Sequence, residues 1–301
     1  MTRGKGCGHC PGSHTGERPC LASATAKARA WLLVEHPGPW PENVTDLPGP
    51  DPVADAVRAA KRAGVRPQLI RRPGRRRATP PVQVYAAFSR GAEVWMEGRE
   101  LSDPAELASL DLAALAAGRS PGLGGPVIDP VLLACTHGRH NACCARTGGP
   151  LARALATRFD RLVWETTHVG GDRFAANLVC LPHGLYYGDL GETEAVRAVD
   201  AYLRGEVVLD RLRGRAGTPE AAQAAEHFVR AHTGILGVDE VTVESVTGTS
   251  RYEAVVLARR SRYRVALETV QQSEPCGPGC GENLKTHVVR ELTLLNEAAL
   301  V

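Results

Sequence analysis

The order of secondary structure constrains this chain most, because the pattern strand, helix, three strands, helix is expected twice in succession. Ala30-Trp31-Leu32-Leu33-Val34-Glu35 is a nearly continuous apolar run, the pattern of a buried strand, and His36-Pro37-Gly38-Pro39 stops it. A helix is expected over 51–63, where Val53, Ala56, Val57 and Ala60 share one face. Strands at 68–71, 82–88 and 92–96 and a helical stretch over 104–117 complete the first block. The second block repeats the order. It has a strand at 130–134, a helix over 146–158, a strand at 161–165, a hairpin of 178–181 and 185–188 around Pro182-His183-Gly184, and a helix over 193–204. Gly118-Arg119-Ser120-Pro121-Gly122-Leu123-Gly124-Gly125-Pro126 reads as the linker.

A β-α-β start that ends in an antiparallel hairpin and a covering helix is the thioredoxin-like order. The expected fold is therefore α/β, with two thioredoxin-like β-α-β-β-β-α units in tandem plus a C-terminal helix and a small antiparallel sheet. The last part rests on a helix over 219–232 and on strands at 240–246, 252–258, 263–269 and 286–295. The expected divisions are a flexible cysteine-containing tail over residues 1–25, a first unit over 26–118, a second over 126–205 and the accessory part over 206–301. The first unit holds no cysteine or histidine cluster beyond His36 and reads as a structural repeat without ligands.

Composition limits the function classes. A chain of 301 residues with 43% hydrophobic and 23% charged residues is ordinary for a soluble globular protein, and its Ala, Arg, Gly and Pro bias resembles a GC-rich bacterial genome. A net charge of +3 is too small to argue for nucleic acid, and the basic run Arg71-Arg72-Pro73-Gly74-Arg75-Arg76-Arg77 reads as a solvated loop. No run approaches the ~18–20 apolar residues of a membrane span, and the N-terminus lacks an apolar signal core. A cytoplasmic protein with no membrane partner is expected.

Nine cysteines is a high count for a reducing compartment, where gathered thiols serve metal or redox chemistry more often than disulfides. They form three groups: Cys7, Cys10 and Cys20; Cys135, Cys143, Cys144 and Cys180; Cys276 and Cys280. The middle group carries the chemistry. Cys135-Thr136-His137-Gly138 and Cys143-Cys144 follow one expected strand, and Thr167-His168-Val169-Gly170-Gly171-Asp172 follows the next. Thiolate and imidazole bind borderline and soft metals. Parallel pairing of the two strands would bring His168 beside Cys135, with Asp172 after three intervening residues. Cys180 reads as a small core hydrophobe and Cys143 as supporting. His137 and His140 read as hydrogen-bonding the site, and Arg173 and Asn177 as fixing the loop backbone.

These loops, with His168 through Asn177, Leu181-Pro182-His183-Gly184-Leu185-Tyr186-Tyr187-Gly188 and the opening Trp31 to Trp40, resemble the sucrase/ferredoxin-like family of thioredoxin-like [2Fe-2S] ferredoxins. The resemblance covers residues 25–205 and, more loosely, the C-terminal sheet. It implies a cluster held by two cysteines of the first loop and a His-x3-His pair of the second. Carried over, the ligands are Cys135, Cys144 and His168. Asp172 stands at the fourth position, where some members have histidine; Cys143, Cys180 and His183 are the other candidates for that bond.

The terminal thiols form a separate question. Cys7-Gly8-His9-Cys10 has metal-type spacing, and Cys7, Cys10, Cys276 and Cys280 could form a zinc site. Alternatively Cys276 and Cys280 join Cys135 and Cys144 in an all-cysteine cluster. The leading expectation is a [2Fe-2S] electron-transfer protein, a carrier rather than an enzyme, with unknown redox donor and acceptor proteins. The alternatives are a thiol-dependent redox enzyme on the same fold, against which the adjacent Cys143-Cys144 counts, and a zinc-stabilised binding module. Sucrose hydrolysis needs two carboxylates flanking the bond, and no such pair stands out.

Overall fold

Trp31-Leu32-Leu33-Val34 presents apolar side chains on both faces of one strand, and such a strand is stable only when covered from both sides. In the computed structural model, which describes residues 22–24, 27–74, 81–91, 93–273 and 284–297, this segment is β1 (Ala30–Glu35), and all six of its residues are buried. Cys7, Cys10, Cys20, Cys276 and Cys280 lie outside the described residues, as do Arg75, Arg76 and Arg77.

After β1 come α1 (Pro52–Arg62), β2 (Arg66–Arg71), β3 (Val82–Arg90), β4 (Glu93–Leu101), α2 (Leu112–Ala116) and β5 (Gly125–Pro126). Asp51 starts α1 by accepting the Val53 N–H at 2.8 Å, with Pro52 at the first helical position. The stretch expected to be one helix over 104–117 is a 3₁₀ turn, Pro104–Ser109, followed by the short α2. The second block is β6 (Val131–Cys135), α3 (Ala142–Phe159), β7 (Val163–Thr166), β8 (Leu178–Leu181), β9 (Leu185–Tyr187), α4 (Glu192–Leu203) and β10 (Leu212–Arg215).

All ten strands form one mixed sheet in the order β10-β9-β8-β6-β7-β2-β1-β3-β4-β5. Within each block the first strand runs parallel to the second and antiparallel to the third. The blocks meet where β2 pairs antiparallel with β7, Ile70 opposite Thr166 and Arg71 opposite Glu165. An Arg71 Nε–Glu165 Oε2 ion pair of 2.6 Å, largely shielded from water, reinforces that seam. Strands β5 and β10 were not expected from the sequence. Leu212–Arg215, assigned in advance to the C-terminal part, instead pairs with β9 at the edge of the large sheet.

Alternation along the central strands sorts the core. Leu32 and Val34 pack under α1 with Val53, Val57 and Leu69. Leu132 packs under α3 and α4 with Leu151, Leu155 and Val199. Between these lies a cluster common to both blocks: Trp31, Leu33, Ile70, Leu133, Trp164, Val179 and Tyr186, together with Cys135 and Cys144. Burying each of the large apolar side chains contributes about 1.5–3 kcal/mol. The two thiols thus sit at the edge of a packed interior.

The remaining elements are α5 (Glu220–Thr233) and an antiparallel sheet of β11 (Val241–Gly248), β12 (Arg251–Ala258), β13 (Ser261–Ser273) and β14 (Leu284–Glu297), in sequential order. Ala224, Ala225 and Val229 of α5 pack on Ala254, Val256, Val265 and Leu267. Intervening positions carry cross-strand ion pairs, Arg262–Glu244, Arg264–Glu291 and Arg290–Glu268. No helix among the described residues is long and apolar enough to cross a membrane.

Candidate metal centre

The first ligand loop leaves β6 at Cys135 and reaches α3 within six residues. Asn141 caps that helix, its Oδ1 accepting the Cys143 N–H at 2.8 Å, so α3 begins at Ala142, four residues before its expected start. Cys143 and Cys144 therefore lie in its first turn. A Cβ on Gly148 would stand 1.9 Å from the Cys135 carbonyl oxygen, so only glycine lets α3 lie this close to the strand end. The second loop leaves β7, which is parallel to β6 with Cys135 opposite Thr166, and carries His168 two residues later.

This parallel pairing gathers three donors. Cys135 Sγ, Cys144 Sγ and a ring nitrogen of His168 lie within 4.8 Å of one another, and Cys144 Sγ is 3.9 Å from His168 Nδ1. Both thiols are buried and the imidazole is half-buried. A hydrogen bond with Cys144 holds the Cys135 thiol well below its ordinary 9.0; burial opposes this and His168 assists. The same bond, with burial, pushes the Cys144 thiol up. The two shifts run in opposite directions and share one cause, the contact between the two thiols.

Contacts from the first block brace this set. His137 donates from Nε2 to the Pro41 carbonyl at 2.7 Å, which leaves Nδ1 to accept the His168 N–H at 3.1 Å. His140 Nδ1 is 3.1 Å from the Glu42 carbonyl oxygen, and its ring stacks on that of His168 with centroids 3.9 Å apart. Arg66, at the start of β2, donates to the His168 carbonyl at 3.1 Å. His137 hydrogen-bonds the site, one of the roles expected of the pair, whereas His140 meets it by ring stacking and hydrogen-bonds Glu42 instead. The first block supplies no member of the three-residue group, yet Pro41, Glu42 and Arg66 hold the loops that do. Pro41 and Glu42 contribute only their main-chain carbonyls, which leave no residue-type signal in a sequence.

The other expected residues separate clearly. Asp172 opens a short 3₁₀ turn, Asp172–Phe174, and its Oδ2 accepts from Asn141 Nδ2, outside the three-donor group. Cys143 turns away from Cys144, its Sγ accepting from Arg146 at 3.5 Å. Cys180 is fully buried in β8, as expected of a core hydrophobe. His183, in the β8–β9 turn, is held by the Tyr202 hydroxyl at 2.7 Å and lies 3.7 Å from the Asp239 carboxylate. Asn177 fixes the second loop as expected, its Nδ2 donating to the Gly171 carbonyl at 2.9 Å.

Two thiols and one imidazole suit a borderline or soft metal ion, one donor short of a tetrahedral set. A [2Fe-2S] cluster needs four protein ligands, so three donors fit part of such a set.

No curated protein and no solved structure matches this chain. A family model described as sucrase/ferredoxin-like matches residues 21–214, which include all three donors and nearly the whole of the large sheet. The chain belongs to the sucrase/ferredoxin-like family.

Proposed function

We propose that this protein is a [2Fe-2S] cluster-binding electron-transfer protein on two thioredoxin-like units, with Cys135, Cys144 and His168 as ligands and Asp172 as the candidate fourth. The observation that carries the reading is the convergence of three soft or borderline donors at the ends of adjacent parallel strands. Family membership supports it, and the order second, first, third, fourth strand in each block is consistent with the thioredoxin-like reading. Asp172 lies outside the three-donor group but four residues after His168 on the same loop, which keeps it the candidate for the fourth position.

Such a cluster, when bound, takes up and releases one electron at a time. The chain's own contributions are positional. Both sulfurs must be deprotonated before they can ligate; the Cys135 thiol is shifted toward that state and the Cys144 thiol away from it. His137 holds the His168 backbone and His140 covers the imidazole ring, which limits how far the loop swings. The redox donor and acceptor are taken to be other proteins in the cytoplasm.

A single-ion site, such as zinc, is the second reading, and a specific distance favours it. Donors around one tetrahedral ion stand about 3.3–3.8 Å apart given bond lengths of ~2.0–2.3 Å. The Cys144–His168 separation of 3.9 Å is close to that.

Iron, sulfide and zinc quantification on protein purified without oxygen, with electron paramagnetic resonance after reduction, separates the readings. Stoichiometric iron and sulfide with a reduced-state signal supports the cluster. A colourless protein that takes up no iron after anaerobic reconstitution overturns it, and zinc alone establishes the single-ion site. His168→Ala and Asp172→Ala should each alter the spectrum if both residues ligate.

A further inference from the structure

Arg213 on β10 is a buried cation, 2% exposed, whose hydrogen-bond partners among the described residues are all neutral oxygens. Its Nη1 donates to Asn177 Oδ1 at 2.6 Å and to the Gly170 carbonyl at 3.1 Å. Its Nη2 donates to the Ser23 carbonyl at 2.8 Å, and Nε to the Ser23 hydroxyl at 3.1 Å. The guanidinium lies over the rings of Phe174 and Tyr186, 4.9 and 5.4 Å from their centroids. A buried charge with no hydrogen-bonded carboxylate is costly to desolvate.

Its contacts run to both ligand loops. The Asn177 side chain accepts from Arg213 through Oδ1 and donates from Nδ2 to the Gly171 carbonyl, while the Asn177 main-chain carbonyl accepts the Cys135 N–H at 3.0 Å. Arg213, acting through Asn177, thus links the strand end that carries Cys135 to the loop that carries His168 and Asp172. The fit is close on the loop side. Gly171 has φ +73°, and a Cβ there would stand 2.2 Å from Arg213 Nη2; a Cβ on Gly188 would stand 2.5 Å from Arg213 Cδ.

We propose that Arg213 is both the positioning residue and the fixed counter-charge of this site. It holds the two loops in register through Asn177 and adds a fixed positive charge to the surroundings of the site. The assignment rests on the metal-binding reading above. Burial lowers the Arg213 pKa to about 10, Tyr186, Cys135 and Asp172 raise it and the neighbouring cation Arg173 lowers it, so the group stays charged at neutral pH.

The test uses the full-length chain and three variants. Arg213→Met removes charge and fork, and Arg213→Lys keeps the charge but loses the fork. Ser23→Asp places a carboxylate against the guanidinium and neutralises it in place. Cobalt(II) is the first probe, since its thiolate charge-transfer band reports whether both sulfurs reach one ion. Arg213→Met, and Arg213→Lys to a lesser degree, should lose at least half of that band; an unchanged band in both overturns the positioning role. Should Arg213→Met fail to fold, Arg213→Lys carries that test.

Charge is read separately. With iron and sulfide reconstituted, Ser23→Asp and Arg213→Met should move the midpoint potential to more negative values, while Arg213→Lys stays near wild type. In Ser23→Asp the pH for half-complete cobalt uptake should also move up. Ser23→Asp unchanged in both measurements overturns the counter-charge. Wild-type protein that binds cobalt but assembles no cluster removes the cluster reading and leaves the cobalt tests of Arg213 standing. Wild-type protein that binds neither overturns both.

Discussion

The backbone N–H of His168 donates to His137 Nδ1 at 3.1 Å, so a side chain from the loop after β6 sets the main chain of the loop after β7. The histidine that could bind metal is thereby positioned by one that faces away from the metal, toward Pro41.

His137→Ala should therefore act on both stability and the site. It strips the partner from the His168 N–H and from the Pro41 carbonyl, and each unsatisfied buried group costs about 1–3 kcal/mol. Urea denaturation of the metal-free protein should show a loss of that order, and metal content per chain should fall. Wild-type stability and full metal content would show that the brace is dispensable.

Gly148→Ala tests how tightly α3 is seated. Its new methyl group would fall 1.9 Å from the Cys135 carbonyl oxygen, which neither a rotamer change nor a flexible neighbour can relieve. Forcing the helix outward should cost about 1–3 kcal/mol by analogy with overpacked cores. Cys144 rides on the first turn of α3, so the cobalt charge-transfer band should weaken in step. The comparison variant Gly149→Ala, whose Cβ would meet only the end of the Arg153 side chain at 3.6 Å, should leave both unchanged.

Acid should destabilise the protein through histidines remote from the metal centre. Burial lowers His36, His183 and His287 below their ordinary 6.5, with Asp51 partly offsetting this at His36, Asp239 at His183 and Glu220 at His287. The unfolded chain then binds more protons than the folded one between the folded value and 6.5, so stability rises with pH through that window and falls on acidification. Urea midpoints of the metal-free protein should drop as the pH is taken from about 7.5 to about 5.5. His183→Gln should flatten part of that slope; an unaltered slope would remove His183 from the account.

Asp172→His restores the second histidine of the spacing that the family resemblance implies. Neutral imidazole in place of a carboxylate removes one negative charge from the centre, so the midpoint potential of the reconstituted protein should move positive. A variant with the wild-type potential would show that residue 172 does not touch the metal. In that case the Asn141–Asp172 hydrogen bond is its whole role.

Much of this architecture was legible because its signals are local. The apolar run Ala30–Glu35 and the helix behind Asp51 are observed where they were expected. The neighbouring Cys135 and His168 followed from parallel pairing alone. What escaped was non-local or atypical. Leu212–Arg215 is a strand with two arginines and a glycine among its four residues, held by pairing with β9 and not by its own propensity. The start of α3 was hidden because Gly148-Gly149-Pro150 argues against a helix, although Asn141 before Ala-Cys-Cys is a sound cap. Arg213 was missed with its strand. Nothing about an isolated arginine announces a contact 36 residues away with Asn177.

The seam between β2 and β7, together with the reach of Pro41, Glu42 and Arg66 to the histidines, makes the centre non-portable. Severing the chain in the 118–126 linker would divide neither a carrier from a spacer nor a copy from its duplicate. It would separate three donors from the scaffold that aims them. Gene fragments encoding the second block alone are therefore poor starting material for transplanting this chemistry, and natural fusions that conserve it should retain both blocks in one polypeptide.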